Sequence, residues 1–245
     1  MSESPEWRGD AWTEERGTSD EGRRYLKAPR SAGGSGGSPP RGIQLADLAD
    51  HWPVVGRERL ADGAVVKVRR DTVRMPDGQE VGREVIEHPG AVGVVAMDES
   101  GQVLLIRQYR HPVGRQLWEI PAGLRDVAGE PPLVTAQREL LEEAGYLAAD
   151  WQVLADFFTS PGITSERLRV YLARGLTRVP EAQREYVPDH EEAHLTIEWA
   201  ALDVVVSRIL AGELHNGVMM VGVLSAFAAK QGGFAFLRAA DAPER

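Results

Sequence analysis

Residues 138–145 read Arg-Glu-Leu-Leu-Glu-Glu-Ala-Gly, which places three carboxylates within one short stretch of the chain. On a helix with 3.6 residues per turn, Glu139 and Glu143 lie about 40° apart, and Glu142 widens the arc to about 100°. Like charges at this spacing destabilise a helix by roughly 0.2–0.5 kcal/mol per pair unless a cation lies on them. Because the stretch holds no histidine or cysteine, it favours a hard, oxygen-liganded ion, Mg²⁺ or alternatively Mn²⁺.

The flanking residues predict that this stretch forms the end of a helix. Pro131 and Pro132 suit a first helical turn, and Gly145 supplies a C-terminal stop. Apolar residues between them share one stripe: Leu133, Ala136, Leu140 and Ala144. On these residues alone, a solvated acidic face partly neutralised by Arg138 remains an equal alternative to a metal site.

Strand patterns precede and follow the predicted helix. Residues 65–73 and 80–87 flank a Pro- and Gly-containing turn and predict a hairpin. Residues 91–97 and 103–107 predict a second pair across the turn at 98–101. The remaining predicted elements are strands at 117–120, 151–158, 168–173 and 195–199, and helices at 202–211 and 218–230. This order predicts an α/β fold in which a mixed sheet lies between helices.

Composition narrows the class of protein. Of 245 residues, 42% are hydrophobic and 27% are charged, as in soluble globular proteins. The net charge of −9 argues against a nucleic-acid partner, which normally requires a basic surface. No apolar run is long enough to cross a bilayer, so no membrane association is expected. The absence of cysteine excludes disulfides, zinc ribbons and thiol nucleophiles, and with no secretory signal the predicted location is cytoplasmic.

Residues before the helix complete a longer motif. Gly123 follows a strand, Glu130 lies eight positions before Arg138, and Tyr146 follows the helix stop. Together with 138–145 these residues resemble the Nudix box, Gly-x5-Glu-x7-Arg-Glu-U-x-Glu-Glu-x-Gly-U, where U is bulky and apolar. In this sequence six residues, not five, separate Gly123 from Glu130. The extra residue lies in the loop 124–129, so the spacing of the carboxylates is intact.

The resemblance implies a fold and a chemistry. It implies a Nudix α/β/α sandwich with a mixed central sheet, preceded by an N-terminal antiparallel β region, that hydrolyses diphosphates with a bound cation. Its metal ligands would be the carbonyl of Ala122, the carboxylates of Glu139 and Glu143, and Glu192 from a later loop. The same resemblance places Glu142 close to the metal and assigns Glu130 a structural pairing with Arg138. It gives the role of water-orienting base to Glu191 or Glu192; Glu192 matches the metal-ligand position better, which leaves Glu191 as the candidate base.

Residues outside the box resemble the bacterial ADP-ribose pyrophosphatase branch of the family. Pro161 follows Tyr146 by fifteen positions, a mark of that branch, within a similar loop at 160–167. The resemblance implies a nucleoside diphosphate substrate, ADP-ribose, cleaved to AMP and ribose 5-phosphate. Its predicted binding residues are Arg83, Glu84, Arg110, Gly123, Leu124 and Ser160, with the guanidinium of Arg110 on phosphate. The alternatives are an ordinary Pro-Gly turn and solvated strand arginines.

The chain is predicted to contain four parts. Residues 1–42 are expected to be a disordered tail and linker, because they hold almost no aliphatic residues and end in a run rich in Gly, Ser and Pro. Residues 43–90 resemble the N-terminal β region through which related enzymes form homodimers. Residues 91–236 form the predicted Nudix hydrolase domain, and residues 237–245 form a C-terminal tail.

Other functions remain alternatives. Residues 190–194 read His-Glu-Glu-Ala-His, which matches the His-Glu-x-x-His zinc-protease motif, with Glu213 as a possible third ligand. That motif requires a helix, whereas residues 195–199 alternate like a strand. A non-catalytic Nudix-like sensor would need a DNA-binding domain, and the residues after Trp199 lack basic character. Within the family, hydrolysis of a nucleoside-sugar or a dinucleotide is the main alternative.

Overall fold

The computed structural model describes residues 46–184 and 195–244. The helices and strands of these residues all lie in the compact unit Asp50–Arg245. Within the described ranges, no helix combines the length and the apolar character needed to cross a membrane. The predicted tail at 1–42 and the His-Glu-x-x-His motif at 190–194 lie outside the described residues.

The described chain forms eleven strands and three helices. The strands are β1 Val54–Asp62, β2 Lys67–Arg74, β3 Glu80–Glu87, β4 Ala91–Ala96, β5 Gln102–Arg110, β6 Arg115–Glu119, β7 Ala122–Leu124, β8 Tyr146–Phe158, β9 Arg167–Arg178, β10 Thr196–Ala201 and β11 Arg238–Ala239. The helices are α1 Pro132–Glu139, which continues as a π-helical turn Leu140–Ala144, α2 Leu202–Leu210 and α3 Gly217–Gln231. Short 3₁₀ turns lie at His111–Val113 and Glu181–Gln183.

An antiparallel sheet of β1, β2 and β3 forms the N-terminal region. Strands β2 and β3 pair from Lys67 opposite Glu87 to Arg74 opposite Glu80, which confirms the predicted hairpin. The turn between β2 and β3 requires glycine at position 78, because Gly78 adopts a φ of 86°, which a residue with a Cβ atom rarely adopts. Most side chains of β1 are exposed, so this sheet covers little of its own apolar surface.

The other two sheets build the main body. A mixed five-stranded sheet has the order β11-β8-β9-β4-β7, in which β4 and β9 are parallel and the other pairs are antiparallel. A three-stranded antiparallel sheet has the order β10-β5-β6. The predicted pairing of 91–97 with 103–107 is wrong, because β4 and β5 belong to different sheets and share only the bridge between Met97 and Val103. Since every residue of β4 is buried, long-range packing rather than the local turn selects its neighbours.

Helices cover both faces of the mixed sheet. On one face, α1 and its π-helical turn pack Ala136, Leu140 and Ala144 against the β-strands. On the other face, α2 and α3 contribute a second buried cluster that includes Val205 and Val223. Alternate residues of β9 serve the two clusters, with Val170 in one and Tyr171 in the other. This arrangement confirms the predicted α/β/α sandwich with a mixed central sheet.

Candidate active site

The three carboxylates lie where α1 passes into its π-helical turn. Glu139 ends the α-helical part, and Glu142 and Glu143 lie in the turn. Such single π turns occur frequently at functional sites, and a periodic sequence pattern does not distinguish them from α-helix. Gly145 ends the helix with a φ of 72°, as its stop position requires. The guanidinium of Arg184 lies against Gly145 so closely that a side chain there would overlap it.

Strand β7 packs directly against the acidic helix. The backbone amide of Ala122 donates a hydrogen bond of 2.8 Å to Oε2 of Glu143. The carboxylate of Glu139 occupies the space that a Cβ atom on Gly123 would need. Both glutamates are 9% exposed, and charged residues are seldom buried to this degree unless they are paired. The structure therefore brings together four predicted site residues at one point on the edge of the mixed sheet.

A single arginine links the surrounding carboxylates. Nη1 of Arg138 lies 2.7 Å from Glu139 and 3.1 Å from Glu142, and Nη2 lies 3.4 Å from Glu130. Burial disfavours the charge on Arg138, but Glu139, Glu130 and Glu142 outweigh it and raise its pKa. Glu130 also accepts a hydrogen bond from the Thr135 hydroxyl, which is the main cause of its lowered pKa. The predicted structural pairing of Glu130 with Arg138 is confirmed.

The residues fit a hard cation. Glu139 and Glu143 lie one helical turn apart, and both are buried. Arg138 forms a salt bridge with Glu139. Their donors are all oxygens, the ligands that Mg²⁺ and Mn²⁺ take. Within the described ranges, no group of three His, Asp or Glu side chains is close enough together to hold one metal ion. A complete ligand set therefore needs additional donors, such as the predicted Ala122 carbonyl, and the predicted Glu191 and Glu192 lie outside the described residues.

A cavity of about 420 Å³ opens beside β7. Its lining combines site residues from several elements: His88, Ala91, Arg110, Pro112, Val113, Leu117, Glu119, Ile120, Ala122, Gly123, Leu124, Glu166, Leu168, Asn216 and Val218. Four predicted site residues thus line one cavity, namely Ala122, Gly123, Leu124 and Arg110. The mixture of apolar walls and a few polar groups is typical of small-molecule sites.

Arg110 enters this cavity in a fixed orientation. Its Nε and Nη2 atoms lie 2.9 Å and 2.6 Å from the two carboxylate oxygens of Glu119. The Glu119 side chain is almost fully buried, whereas nearly half of the Arg110 side chain is exposed. This bidentate pair fixes the plane of the guanidinium. Sequence reasoning missed this pairing. The available signal is Glu119, an acidic residue within the apolar strand predicted at 117–120.

The loop after β8 is attached to the end of β3. The Ile86 amide donates to Ile163, and the Ile86 carbonyl accepts from the amide of Ser165. Beyond these bonds, His88 lies 3.6 Å from Glu166, and both line the cavity. Sequence reasoning missed His88 and Glu166, because only the fold brings positions so distant in the chain together.

Three predicted binding residues lie elsewhere. Arg83 and Glu84 are exposed on β3, where Glu84 forms a salt bridge with Arg70, and neither lines the cavity of its own chain. Ser160 is also exposed, and its carbonyl accepts hydrogen bonds from Ile163 and Thr164 within the loop. These three residues do not line the cavity of their own chain. They could contact a ligand only in a cavity of another subunit or after a change in the position of their segments.

Comparisons with known proteins agree with this geometry. A family model described as "NUDIX domain" matches residues 87–219. An ADP-ribose pyrophosphatase from Mycobacterium tuberculosis is 50% identical over 188 residues, which cover 76% of this chain and 88% of the relative. An ADP-ribose pyrophosphatase from Bacillus subtilis is 39% identical, over 63% of this chain and 83% of the relative.

A solved structure supports the fold. The crystal structure of an ADP compounds hydrolase matches with a TM-score of 0.62 and 19% identity, covering 77% of this chain and 98% of that one. The matched family region contains the acidic helix, β7 and Arg110, the elements that build the site. With its box residues, its sandwich and its relatives in agreement, this chain belongs to the Nudix hydrolase family.

Proposed function

We propose that this enzyme hydrolyses the diphosphate bond of ADP-ribose to AMP and ribose 5-phosphate with Mg²⁺. The observation that carries the proposal is the packing of Glu139 and Glu143 against β7, whose three residues line a cavity that Arg110 also lines. Relatives named ADP-ribose pyrophosphatase, up to 50% identical to this chain, favour that substrate. Because the sequence holds no cysteine, and secreted proteins often depend on disulfides, we propose a cytoplasmic location for the reaction.

Each residue has a distinct task in this proposal. Glu139 and Glu143 would hold the cation together with the Ala122 carbonyl and Glu192, with Glu142 beside them. A bound divalent cation neutralises diphosphate oxygens, orients a water molecule and lowers the pKa of that water. Arg110, held by Glu119, presents guanidinium donors to a phosphate oxygen. Glu191 accepts a proton from the attacking water, and Gly123, Leu124 and Ser160 contact the substrate.

A substrate panel tests the specificity. We expect ADP-ribose to give a kcat/KM at least about tenfold above GDP-mannose and NADH, a gap of about 1.4 kcal/mol in transition-state binding. Chromatography of the products measures all three reactions under identical Mg²⁺ and pH. A higher kcat/KM for either competitor would refute the choice of ADP-ribose but leave diphosphate hydrolysis standing.

We also propose that the region 43–90 forms a two-fold homodimer that completes the site. Arg83 and Glu84 are exposed on β3 and do not line the cavity of their own chain. The same sheet exposes Val54, Val55 and Leu60. A small sheet with exposed apolar residues gains stability from a partner, and two-fold symmetry would carry Arg83 towards the partner's cavity.

Mixing two inactive variants tests the shared site. We expect Arg83→Ala and Glu143→Gln each to be nearly inactive as homodimers. After subunit exchange, mixed dimers should contain one complete site, restoring about one quarter of the intact activity by random pairing. Arg74→Ala on the same sheet, where the side chain pairs with Glu80, serves as a control that should keep full activity. A monomeric mass by light scattering, or mixtures no more active than the separate variants, would refute the shared site.

A further inference from the structure

The segment 238–244 crosses the mixed sheet from one edge to the other. At one edge, Arg238 and Ala239 pair with β8. Over the middle strand, the carbonyl of Ala242 accepts a 2.7 Å hydrogen bond from Arg169 of β9. At the opposite edge, Glu244 forms a 2.8 Å salt bridge with Arg125, the residue that follows β7. The segment therefore ties β7 to the far side of the sheet.

Buried charges anchor the middle of this crossing. Arg169 is 3% exposed and holds Asp156 through two hydrogen bonds of 2.7 Å and 2.9 Å. Arg238 reaches the same carboxylate from the segment itself, at 2.9 Å. Burial raises the pKa of Asp156, but its hydrogen bonds to Arg169 and Arg238 outweigh this and lower it. Removing one member of such a buried network is strongly destabilising. The network therefore holds the segment 238–244 in a fixed position on the sheet.

The far end of the segment contacts the loop in which this sequence departs from the Nudix box. That loop, 124–129, carries one residue more than the motif requires. The Arg125 amide donates to the Gly90 carbonyl at 3.0 Å, and the Arg125 side chain reaches Glu244. About three quarters of each partner's side chain is buried. The longer loop is therefore held at its start by a contact from outside the motif.

Strand β7 needs such support because it is short and lies at an edge. It has three residues and hydrogen-bonds to one neighbour, β4. Those residues are Ala122, Gly123 and Leu124, which contact the acidic helix or line the cavity. We propose that Glu244, acting through Arg125, is a positioning residue that keeps β7 in register with the metal carboxylates. This inference rests on the proposed function of that site.

Charge-neutral variants of the pair test the inference in the full chain. We expect Glu244→Gln to raise the half-activating Mg²⁺ concentration and to lower kcat/KM for ADP-ribose, each about two- to fivefold, as for loss of a partly exposed ion pair. Amide hydrogen exchange should accelerate in peptides covering 122–131 and stay unchanged in α3. Arg125→Gln should give the same effects, and the double variant should add little, because both act on one contact.

Glu213→Gln is the matched control, since Glu213 forms an arginine salt bridge with Arg208 that involves neither β7 nor the segment. It should leave the Mg²⁺ dependence and the exchange at 122–131 unchanged. Glu244→Gln with intact Mg²⁺ dependence and intact local exchange would overturn the inference. If the intact protein does not cleave ADP-ribose, the proposed function fails instead, and the exchange measurement alone decides the positioning role.

Discussion

Replacing Glu143 with Gln is expected to lower kcat by at least about two orders of magnitude while the protein stays folded. In the proposed function Glu143 is a metal ligand, and its loss weakens the stabilisation of transition-state charge. That stabilisation is worth several kcal/mol, and about 1.4 kcal/mol corresponds to a factor of ten. The fold should persist because a Gln side-chain oxygen can still accept the hydrogen bond from the Ala122 amide. Steady-state kinetics at saturating Mg²⁺ and thermal unfolding measure the two quantities.

The matched control is Glu198→Gln, a change of the same kind at an exposed position on β10. It should leave kcat and the unfolding temperature near those of the intact protein. Glu143→Gln also removes the repulsion between this side chain and the neighbouring carboxylates. Without metal, the unfolding temperature of the variant should therefore be no lower than that of the intact protein. Near-normal turnover of Glu143→Gln at saturating Mg²⁺ would refute its assignment as a metal ligand.

Adding one methyl group at Gly123 is expected to reduce kcat about as severely. A Cβ atom there would overlap the carboxylate group of Glu139, so that side chain must move. The movement takes the carboxylate away from Glu143 and from the proposed position of the cation. Folding should survive because the obstructing atoms are the end of a flexible side chain rather than backbone. Kinetics of Gly123→Ala, with circular dichroism as a check on folding, measure the effect.

Gly217→Ala provides the comparison, because the added methyl group meets no atom within 4 Å at the start of α3. We expect this variant to be fully active. Equal activity of Gly123→Ala and Gly217→Ala would show that the position of Glu139 does not limit the reaction. A loss of folding in Gly123→Ala, seen by circular dichroism, would show that β7 rather than Glu139 gives way.

The acidic helix was predictable because its signals are local. Helix period, the prolines at its start and Gly145 at its end all lie within fifteen residues, and the structure confirms them. The carboxylates' shared face follows from that period alone. The π-helical turn was not predicted, since it changes the hydrogen bonding of the helix without changing its apolar pattern.

The cavity could be predicted only in part, because its residues come from distant segments. Arg110 was predicted from the resemblance to the ADP-ribose pyrophosphatase branch, whereas His88 and Glu166 meet only after β3 and the loop beyond β8 are joined. The erroneous hairpin of β4 with β5 has the same origin. A turn sequence predicts where a chain reverses, but the partners of a fully buried strand depend on the packing of both faces.

The most direct test of the account is a product analysis of ADP-ribose incubated with the intact protein, with Mg²⁺, with excess chelator, and with Mg²⁺ restored. We predict equimolar AMP and ribose 5-phosphate in the first sample, none in the second, and full recovery in the third. This result would follow from a cation held between Glu139, Glu143 and β7. Absence of cleavage with Mg²⁺, or cleavage that continues unchanged under chelation, would contradict the central claim.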